Sequence, residues 1–538
     1  MIKELELAVT PAQAKDWNYV QALALDTIGK GLAQRCKAVV LRRRTIDARP
    51  RIPVIRLWLD IYIDEMPKEE PKILESIAAN LSSIQKPQKV AIIVGAGPAG
   101  YFAALEFLEL GIKPIILERG KDAQARRKDL RAIQQFGIVN EHSNYCFGEG
   151  GAGTYSDGKL YTRSHKRGSI AKVLQLFVEH GAKSDILVDA HPHIGSNKLP
   201  HIMENMRATI LKFGGEIHFD TFVTDLILEE NNIGERKIIG VVANEKEYRG
   251  EAVVLATGHS ARDIYKLLHA RNVLIEAKPF AMGVRIEHPQ MLIDKIQYHQ
   301  SPRDPNLPAS SYSIVCQVQE RGVFSFCMCP GGLIVPAATA PEELVVNGMS
   351  LSRRDSAFAN SGLVVAVELE DMSYNPYDKK GLKGDPKKDP LLGMYFQQAV
   401  EQRFFQAGDG TQKAAAQRVP DFVKGKVSSS LRETSYIPGI YAERVDQLLP
   451  DFIAQRLQKG LQVFGKQKNG YYTEEAQMIG VESRTSSPVR IPRENDTLMH
   501  PEVKGLFPCA EGAGYAGGIV SAAIDGQRVA KAVKIFFE

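Results

Sequence analysis

The sequence predicts an α/β protein in three parts: a small α+β module, a domain built on a parallel sheet, and a β-rich region inserted into that domain. A buried apolar run at residues 90–94 turns through glycines into an apolar helix, and runs at 253–258 and 505–512 also end in glycine turns. Between these last two runs, short β-rich segments alternate with polar or glycine breaks. The strand, turn and helix units favour a parallel sheet, and the interrupted segments favour an antiparallel sheet between them.

A GxGxxG fingerprint lies within residues 89–120, KVAIIVGAGPAGYFAALEFLELGIKPIILERG. Gly95 permits the tight turn, Gly97 lets the backbone approach a pyrophosphate, and Gly100 lets the helix lie close to the strand. Glu118 ends the next apolar run, at about the 20-residue offset where a carboxylate binds ribose hydroxyls and disfavours a 2′-phosphate. A Rossmann-like, FAD/NAD(P)-binding domain is therefore predicted. Its first cofactor contacts are expected from Gly95, Gly97, Pro98, Ala99, Gly100, Glu118 and Arg119.

Length and composition limit the class of protein. A chain of 538 residues exceeds what one core supports, so two to four domains are expected. The net charge of +5 is mild for this length and does not by itself require a nucleic-acid partner. Six scattered cysteines, a start without a signal segment, and apolar runs shorter than about 18 residues predict a reduced, cytoplasmic protein without a membrane span.

Composition shifts divide the chain into four segments. A Pro/Lys-rich stretch ends just before the fingerprint, so the cofactor domain starts near residue 89. The predicted segments are the N-terminal α+β module at 1–88, the first part of the cofactor domain at 89–270, the β-rich substrate domain at 271–480, and the second part of the cofactor domain at 481–538.

The N-terminal module concentrates arginines on predicted strands. WLDIYID alternates apolar and charged residues, as in a half-exposed antiparallel strand. The arginines would form either a docking face for an acidic partner, a nucleotide or RNA, or a solvated strand edge that avoids aggregation. The second interpretation is favoured, because the sequence lacks the aromatic pattern of an RNA-binding sheet. These arginines are Arg42, Arg43, Arg44, Arg49, Arg51 and Arg56.

A second glycine-rich stretch, NYCFGEGGAGTYSDGKLYT, covers residues 144–162. Glycine inside a packed helix or strand costs about 0.5–1 kcal/mol relative to alanine, so these glycines favour a backbone that passes close to a flat ligand. A glycine-rich surface loop is the alternative. The preceding basic helix, with Arg126 and Arg127, is expected to be a solvated face. Contacts to the cofactor are expected from Gly150, Gly151, Gly153, Thr154, Ser156 and Lys159.

These motifs, taken in order, resemble a known superfamily. GAGPAG with Glu118, a helix leading into GGEIHF, and VVLATG are similar to the FAD-binding domain of the glutathione-reductase superfamily, in its branch with one dinucleotide site. The resemblance implies FAD as cofactor, with the backbone around Val223 beside the adenine, and Thr257 and Gly258 beside the pyrophosphate.

The C-terminal stretch, GLFPCAEGAGYAGGIVSAAIDG, resembles the second flavin motif of the same superfamily. There an acidic residue before a glycine holds the ribityl chain, and the following helix start faces the pyrimidine end of the flavin. The implied residues are Glu511, where the superfamily more often has Asp, with Gly512, Gly517, Gly518 and Ile519. A broader resemblance, to bacterial FAD-utilizing dehydrogenases, rests on the N-terminal module together with FGEGGAGTYSDGKL and VESRTSSPVRIPR. It implies a cofactor and a fold, and no substrate.

Three arginines are predicted to bind an anionic substrate and so to serve catalysis: Arg285, Arg484 and Arg490. The last two lie in GVESRTSSPVRIPR, where hydroxyls accompany the guanidinium groups. A guanidinium forms two parallel hydrogen bonds with a carboxylate or phosphate, which suits an anion clamp. A charged crossover loop between domains is the alternative.

The histidines and cysteines of the sequence bear on metal binding and redox chemistry. His191, His193 and His288 lack the helical spacing of HExxH, so they are interpreted as polar loop residues, and no metal site is expected. Cys327 and Cys329 would point to one face of a strand. They would either share a pocket as a redox dithiol or serve as small apolar fillers.

The motifs together predict an FAD-dependent oxidoreductase, a dehydrogenase that transfers hydride or electrons between a small, anionic substrate and flavin. The sequence has no second strand-linked GxGxxG, so reducing equivalents would come from the substrate, from transient NAD(P)H binding, or from a protein electron donor. Nucleic acid is not an expected partner. The alternatives are a flavin-dependent double-bond reductase, an RNA-associated flavoprotein that docks through the N-terminal module, and a flavin-binding regulatory protein without turnover.

Overall fold

The computed structural model describes residues 1–68, 72–82, 89–162, 167–377 and 384–538. Its strands are Ile2–Val9, Cys36–Asp47, Val54–Ile63, Val90–Val94, Lys113–Leu117, Glu216–His218, Val223–Glu230, Arg236–Ala243, Lys246–Arg249, Ala252–Leu255, Glu276–Ala277, Phe280–Pro289, Val315–Val318, Arg321–Cys329, Gly332–Pro336, Val346–Ser350, Phe358–Val367, Ala414–Arg418, Ile440–Ala442, Gln477–Glu482, Val489–Arg490, Val503–Lys504 and Leu506–Pro508. Its α-helices are Trp17–Ile28, Lys30–Ala33, Ile73–Ser82, Pro98–Glu109, Arg126–Phe136, Ile170–Glu179, Leu199–Lys212, Arg262–Ala270, Gln290–Tyr298, Leu392–Ala407, Val419–Lys424, Val445–Leu448, Asp451–Gln467 and Ile519–Phe537.

The N-terminal module is a three-stranded antiparallel sheet covered by a helix. The strand Val54–Ile63 lies in the middle, between Ile2–Val9 and Cys36–Asp47. Alternate side chains of this central strand are buried, and they pack with apolar residues of the helix Trp17–Ile28. The module therefore forms its core from one face of the sheet, as the alternation in WLDIYID predicts.

The cofactor domain is built on a five-stranded parallel sheet. Ala91 and Ile93 of the strand Val90–Val94 pack into the core shared with the helices Pro98–Glu109 and Ile519–Phe537. Ile92 and Val94 pack into a second core with the sheet that contains Arg236–Ala243. The parallel sheet is thus buried on both faces, which explains its nearly continuous apolar strands. Its strand order is Leu506–Pro508, Ala252–Leu255, Val90–Val94, Lys113–Leu117 and Glu216–His218.

The β-rich region forms a seven-stranded, mostly antiparallel sheet. The strand Gln477–Glu482 lies inside this sheet, paired with Phe280–Pro289 on one side and Ala414–Arg418 on the other. The predicted boundary between residues 480 and 481 therefore cuts a strand, and the sheet continues to Glu482. The strand order is Val315–Val318, Arg321–Cys329, Phe358–Val367, Phe280–Pro289, Gln477–Glu482, Ala414–Arg418 and Ile440–Ala442.

Within the described ranges, no helix combines the length and the apolar composition that crossing a bilayer requires.

Gly100 offers a direct test of the packing between the first helix of the cofactor domain and its strand. A Cβ at Gly100 would lie 2.0 Å from the carbonyl oxygen of Gly95, whereas a Cβ at Gly31, also in a helix, would meet nothing within 4 Å. We expect Gly100→Ala to lower the free energy of unfolding by about 3 kcal/mol or more, because backbone must move. Gly31→Ala should leave stability unchanged or raise it by up to about 1 kcal/mol. Denaturant unfolding of both variants measures the difference, and equal stabilities would contradict the proposed packing.

Candidate cofactor site

An elongated cavity runs along the carboxyl ends of the parallel strands, where ligands bind in open α/β sheets. Its walls come from the fingerprint turn, the glycine-rich loop, the C-terminal helix start and the β-rich sheet. The predicted cofactor residues that line it are Gly95, Gly97, Pro98, Ala99, Glu118, Arg119, Gly151, Gly153, Ser156, Lys159, Val223, Thr257, Gly258, Glu511, Gly518 and Ile519.

Five other residues predicted to contact the cofactor are not part of this lining, as far as the structure describes the chain: Gly100, Gly150, Thr154, Gly512 and Gly517. They support residues that do line it. The Thr154 hydroxyl donates to the carbonyl of Glu149 at 3.0 Å, which closes the glycine-rich loop. A Cβ at Gly512 would lie 2.8 Å from the carbonyl oxygen of Gly258. Thr154 and Gly512 therefore support the cavity wall without lining it.

The fingerprint turn packs closely against the glycine turn at Gly258. Gly95 has φ +108°, and a Cβ there would lie 2.4 Å from the carbonyl oxygen of Ala256, which precedes the second turn. Gly97 differs, because a Cβ at that position would approach only the Cα of Gly151, at 4.0 Å. A Cβ at Gly258 or Gly518 would meet nothing within 4 Å. Gly97, Gly258 and Gly518 therefore leave a cradle in the cavity that side chains would fill.

Glu118 is a buried carboxylate that binds three backbone amides. Its Oε2 accepts the N–H of Ala96 at 2.8 Å, and its Oε1 accepts those of Gly120 and Gly148, both at 2.9 Å. A carboxylate has about four acceptor positions, so one is left for a hydroxyl in the cavity. Glu118 thus joins the fingerprint turn to the glycine-rich loop and keeps the capacity to bind a ribose.

Arg119 forms a platform next to Glu118. Its guanidinium lies 4.2 Å from the ring centre of Phe147 and 4.6 Å from that of Phe222, and it pairs with Asp263 at 2.7 Å. Within the described part of the chain, Arg119 Nε and Thr257 Oγ1 are buried and lack hydrogen-bond partners. Buried polar atoms are rarely left unpaired, so these two atoms indicate a polar ligand.

Two helices begin at the cavity. Pro98–Glu109 starts after Gly97, and Ile519–Phe537 starts after Gly518. The first turn of a helix has free N–H groups and a partial positive charge, which favours a bound phosphate or another anion. The cradle, the unpaired polar atoms and the helix starts together fit a dinucleotide with a pyrophosphate.

Arg126 is a site residue that sequence reasoning misplaced. The expected solvated position is wrong, because the side chain is fully buried under the glycine-rich loop. It donates to the carbonyls of Asn144 at 2.7 Å and of Glu149 and Gly151 at 3.0 Å. A Cβ at Gly148 would lie 2.6 Å from Arg126 Cδ, so this glycine makes room for the arginine. The many glycines of this loop were the sequence signal that a large side chain could be buried beneath it.

Arg285 is fully buried and is not among the described residues of the cavity lining. Its Nη1 donates to the Cys327 carbonyl and to Asn360 Oδ1, both at 3.0 Å. Nη2 donates to Asn347 Oδ1 at 2.9 Å and to Glu482 Oε1 at 3.0 Å, and Nε donates to the same carboxylate. All five N–H groups are used inside the protein. Arg285 therefore orients the cavity wall and does not reach a substrate.

Arg484 lines the cavity within a cluster of four charged groups. It binds Glu401 at 2.9 Å and Glu343 at 2.8 Å, and Arg262 binds the same carboxylates at 2.9 and 3.1 Å. Two arginines and two glutamates leave the cluster neutral. Arg490 is 45% exposed, lies 4.0 Å from Glu276, and is not among the described lining residues. The three predicted arginines do not converge on one anion.

The interpretation of His288 as a polar loop residue is wrong, because His288 is buried within the strand Phe280–Pro289. His288 Nε2 lies 2.9 Å from the carbonyl of Tyr471, and His193 Nε2 lies 3.2 Å from that of Ser352. Across the described residues, no group of three or more His, Cys, Asp or Glu side chains is arranged to hold a metal ion.

The chain matches two family models. Residues 279–485 match the model described as "FAD-dependent protein, C-terminal domain-like", and residues 1–62 match a "Domain of unknown function (DUF8436)". The first match confirms the predicted cofactor, FAD. Together with the parallel sheet, it also confirms the predicted fold class of a Rossmann-like α/β domain with a β-rich domain.

Several solved structures resemble this chain at low identity. Glycine oxidase from Geobacillus kaustophilus is 12% identical, with a TM-score of 0.33 over 83% of this chain and 95% of that chain. A geranylgeranyl bacteriochlorophyll reductase-like protein from Thermoplasma acidophilum is 13% identical, with a TM-score of 0.32 over 84% of this chain and 79% of that chain. CtdE in complex with FAD is 9% identical, with a TM-score of 0.30 over 84% of both chains.

A protein of Clostridium beijerinckii described as uncharacterized is 42% identical over 475 residues, which cover 88% of this chain and 85% of that protein. The chain therefore belongs to the same family as this Clostridium beijerinckii protein, and its central region is an FAD-dependent protein C-terminal domain-like region.

Proposed function

We propose that this protein is an FAD-dependent oxidoreductase, a dehydrogenase that transfers hydride or electrons between a small anionic substrate and flavin. The observation that carries the proposal is the single cavity that joins the dinucleotide motifs to Phe326, Cys327 and Asn347 of the β-rich region. Bound FAD supplies the redox chemistry, and the protein positions the substrate against it. The same proposal includes the domain limits, with the end of the β-rich domain moved to Glu482. It also includes the superfamily branch with one dinucleotide site and the cytoplasmic location.

The charge at the β-rich end of the cavity favours an anionic substrate. Lys159 Nζ lies 3.6 Å from Asp157, and Arg354 binds the same carboxylate at 2.5 Å. Arg285 and Glu482 form the neighbouring ion pair. Three cations against two carboxylates leave one positive charge for an anion in the cavity, either a group of the substrate or the ionised sulfur of Cys327. Since Lys159 lines the cavity and Arg285 does not, we assign the first contact with the substrate anion to Lys159.

The RNA-docking alternative rests on the arginines of the N-terminal module, and most of them pair within the protein. Arg49 binds Asp47 at 2.7 Å, Arg56 binds Glu6 at 2.9 Å, and Arg44 binds Asp189 at 2.7 Å. Arg42 pairs with Glu4, and Arg43 stacks on Trp58 with 5.2 Å between the guanidinium carbon and the ring centre. This pairing favours the strand-edge interpretation.

Gly97→Ala tests the cofactor cradle. Gly97 has φ −73°, an ordinary value for alanine, and the added Cβ would meet only Gly151 Cα at 4.0 Å. We expect the apoprotein to unfold as the wild type does, while FAD affinity falls tenfold or more, about 1.4 kcal/mol, because the methyl group occupies cofactor space. Flavin fluorescence titration of the apoprotein measures the affinity, with Gly31→Ala as the control. Unchanged affinity would place the pyrophosphate elsewhere.

A pair of arginine variants separates the structural arginine from the exposed one. Arg484→Met leaves Glu401 and Glu343 with one arginine partner instead of two, so we expect a loss of about 3–5 kcal/mol in unfolding free energy. Arg490→Met changes an exposed side chain and should stay within about 0.5 kcal/mol of the wild type. Thermal and denaturant unfolding of both proteins measure the effect. Similar losses in the two variants would contradict the buried-cluster assignment.

The proposed reaction is tested by anaerobic titration of the purified, yellow protein. Small hydroxy, amino and unsaturated acids are added in turn, and the visible flavin absorbance is followed. Bleaching by a hydroxy or amino acid supports a dehydrogenase. Bleaching by NADPH alone, followed by recovery with an unsaturated acid, would indicate the double-bond reductase instead. Protein that stays colourless when FAD is added would refute the proposal.

A further inference from the structure

Two cysteines lie where the β-rich sheet meets the cofactor cavity. Cys327 is exposed and lines the cavity, whereas Cys329 is buried behind it. Both belong to the strand Arg321–Cys329, whose register with Phe358–Val367 shifts between Phe326 and Cys329. Cys327 has φ +45°, so this shift is a bulge that bends the strand next to the cavity.

The spacing of the two cysteines allows a disulfide. Two residues of a strand advance about 6.6 Å, which is near the upper end of the Cα separations of about 4.4–6.8 Å that disulfides span. The bulge bends the strand and so shortens that distance. The Cys329 thiol donates to the Cys327 carbonyl at 3.3 Å, so the two cysteines are in contact through the backbone of the first.

Two cations hold the backbone around the exposed thiol. Arg285 Nη1 donates to the Cys327 carbonyl at 3.0 Å, and Lys159 Nζ donates to the next carbonyl, that of Met328. Arg285 is anchored in turn by Glu482, and Asp157 lies between Lys159 and Arg354. The thiol therefore sits in a rigid, cationic corner.

These neighbours shift the pKa values of the two thiols in opposite directions. Interaction with the Cys329 thiol, followed by the charges of Lys159 and Arg285, holds the pKa of Cys327 well below the ordinary thiol value, against burial and Asp157. The same interaction with Cys327, together with burial, holds the pKa of Cys329 well above it. An exposed thiol that ionises readily at the cavity, with a buried thiol that ionises reluctantly next to it, is the arrangement of an attacking and a resolving cysteine.

We propose that Cys327 and Cys329 form a thiol–disulfide exchange site that opens into the cofactor cavity and accepts small, anionic disulfides. The Cys327 thiolate attacks one sulfur of the disulfide R–S–S–R, forms a Cys327–S–S–R bond and releases one thiolate RS⁻. Cys329 then loses its proton and attacks Cys327 Sγ, forming the Cys327–Cys329 disulfide and releasing the second RS⁻. The protein pair is oxidised by two electrons, and the small disulfide is reduced by two. Two molecules of a small thiol reverse the sequence.

The other interpretation, two small apolar fillers, fits Cys329 better than Cys327. Cys329 is fully buried, as a filler would be. Cys327 is exposed, has a left-handed backbone conformation, and lies beside two cations, none of which a filler requires. Cys509, by contrast, is buried, and burial raises the pKa of its thiol well above the ordinary value.

The test uses 5,5′-dithiobis(2-nitrobenzoate), a small anionic disulfide that releases coloured thionitrobenzoate, with the FAD-loaded full-length protein. Trypsin yields a peptide of residues 322–353 in which Cys327 and Cys329 are the only cysteines. For the wild type, we expect this peptide to lose two hydrogen atoms and to retain no thionitrobenzoate. Cys329→Ser should stop after the first step and retain one thionitrobenzoate on Cys327. Cys327→Ser should release two fewer equivalents than the wild type.

The contribution of Lys159 is tested by the pH dependence of the fast release phase. Because the pKa of Cys327 is lowered, the midpoint of the wild-type rate should lie below the ordinary thiol pKa, and the rate should fall as the pH drops through that midpoint. Lys159→Met should move the midpoint to higher pH and slow the reaction at pH 7 at least tenfold, and Lys159→Arg should restore most of the rate. Lys413→Met, on an exposed side chain, is the matched control.

Equal release by Cys327→Ser and wild type, or a peptide that carries thionitrobenzoate in the wild type, would overturn the proposal. A midpoint that Lys159→Met does not move would also overturn the assigned cationic corner. The readouts are peptide masses and thiol release, so they do not depend on flavin turnover. Failure of the substrate titration would leave them interpretable, and failure here would leave the oxidoreductase proposal intact.

Discussion

The cofactor crevice depends on one carboxylate. Buried backbone N–H groups must be paired, and the turns around the fingerprint leave those of Ala96, Gly120 and Gly148 without partners in a helix or sheet ladder. Glu118 accepts all three. An unpaired buried donor costs about 1–3 kcal/mol, so this residue stabilises the loops as well as offering an acceptor to a ribose. The binding capacity of the crevice and its folding therefore depend on the same side chain.

Close contacts between backbone segments also join distant parts of the chain around the cofactor crevice. Gly95 brings the fingerprint turn against Ala256, and a Cβ at Gly526 would lie 2.2 Å from the carbonyl oxygen of Ala99. The second contact presses the C-terminal helix against the first helix of the domain. Glycines separated by several hundred residues thus set the width of one crevice. The β-rich insertion is accommodated because both of its ends return to the same parallel sheet.

The fold was largely predictable because its signals are local. A strand, a glycine turn and a helix are encoded within about 30 residues, and so are the alternating strand of the N-terminal module and the turn at Gly258. The end of the β-rich sheet was not predictable to the residue. Gln477–Glu482 belongs to that sheet through its pairing with Phe280–Pro289, and such pairing leaves no mark in the strand's own composition.

The site was predictable where the backbone forms it and not where side chains meet across the fold. The motif glycines act through their own main chain, and the Glu118 side chain binds main-chain N–H groups of nearby turns. Arg484, by contrast, depends on Glu401 and Glu343, which lie 83 and 141 residues away in the sequence. An arginine beside hydroxyls looks the same in sequence whether it awaits a substrate or binds two internal carboxylates. Only the partners distinguish the two cases.

Those partners also explain why so much charge lies behind the cavity. Moving an ion out of water costs several kcal/mol, and apolar replacements of buried pairs are often as stable, so stability alone does not account for Arg285 with Glu482 or for the four-charge cluster. A planar guanidinium adds directional specificity, since its five N–H groups donate well only within a narrow range of geometries. Arg285 binds Glu482, Asn347, Asn360 and the Cys327 carbonyl at once. A wall fixed in this way meets a requirement of catalysis, since near-attack geometry tolerates only roughly 3–3.5 Å between reacting atoms.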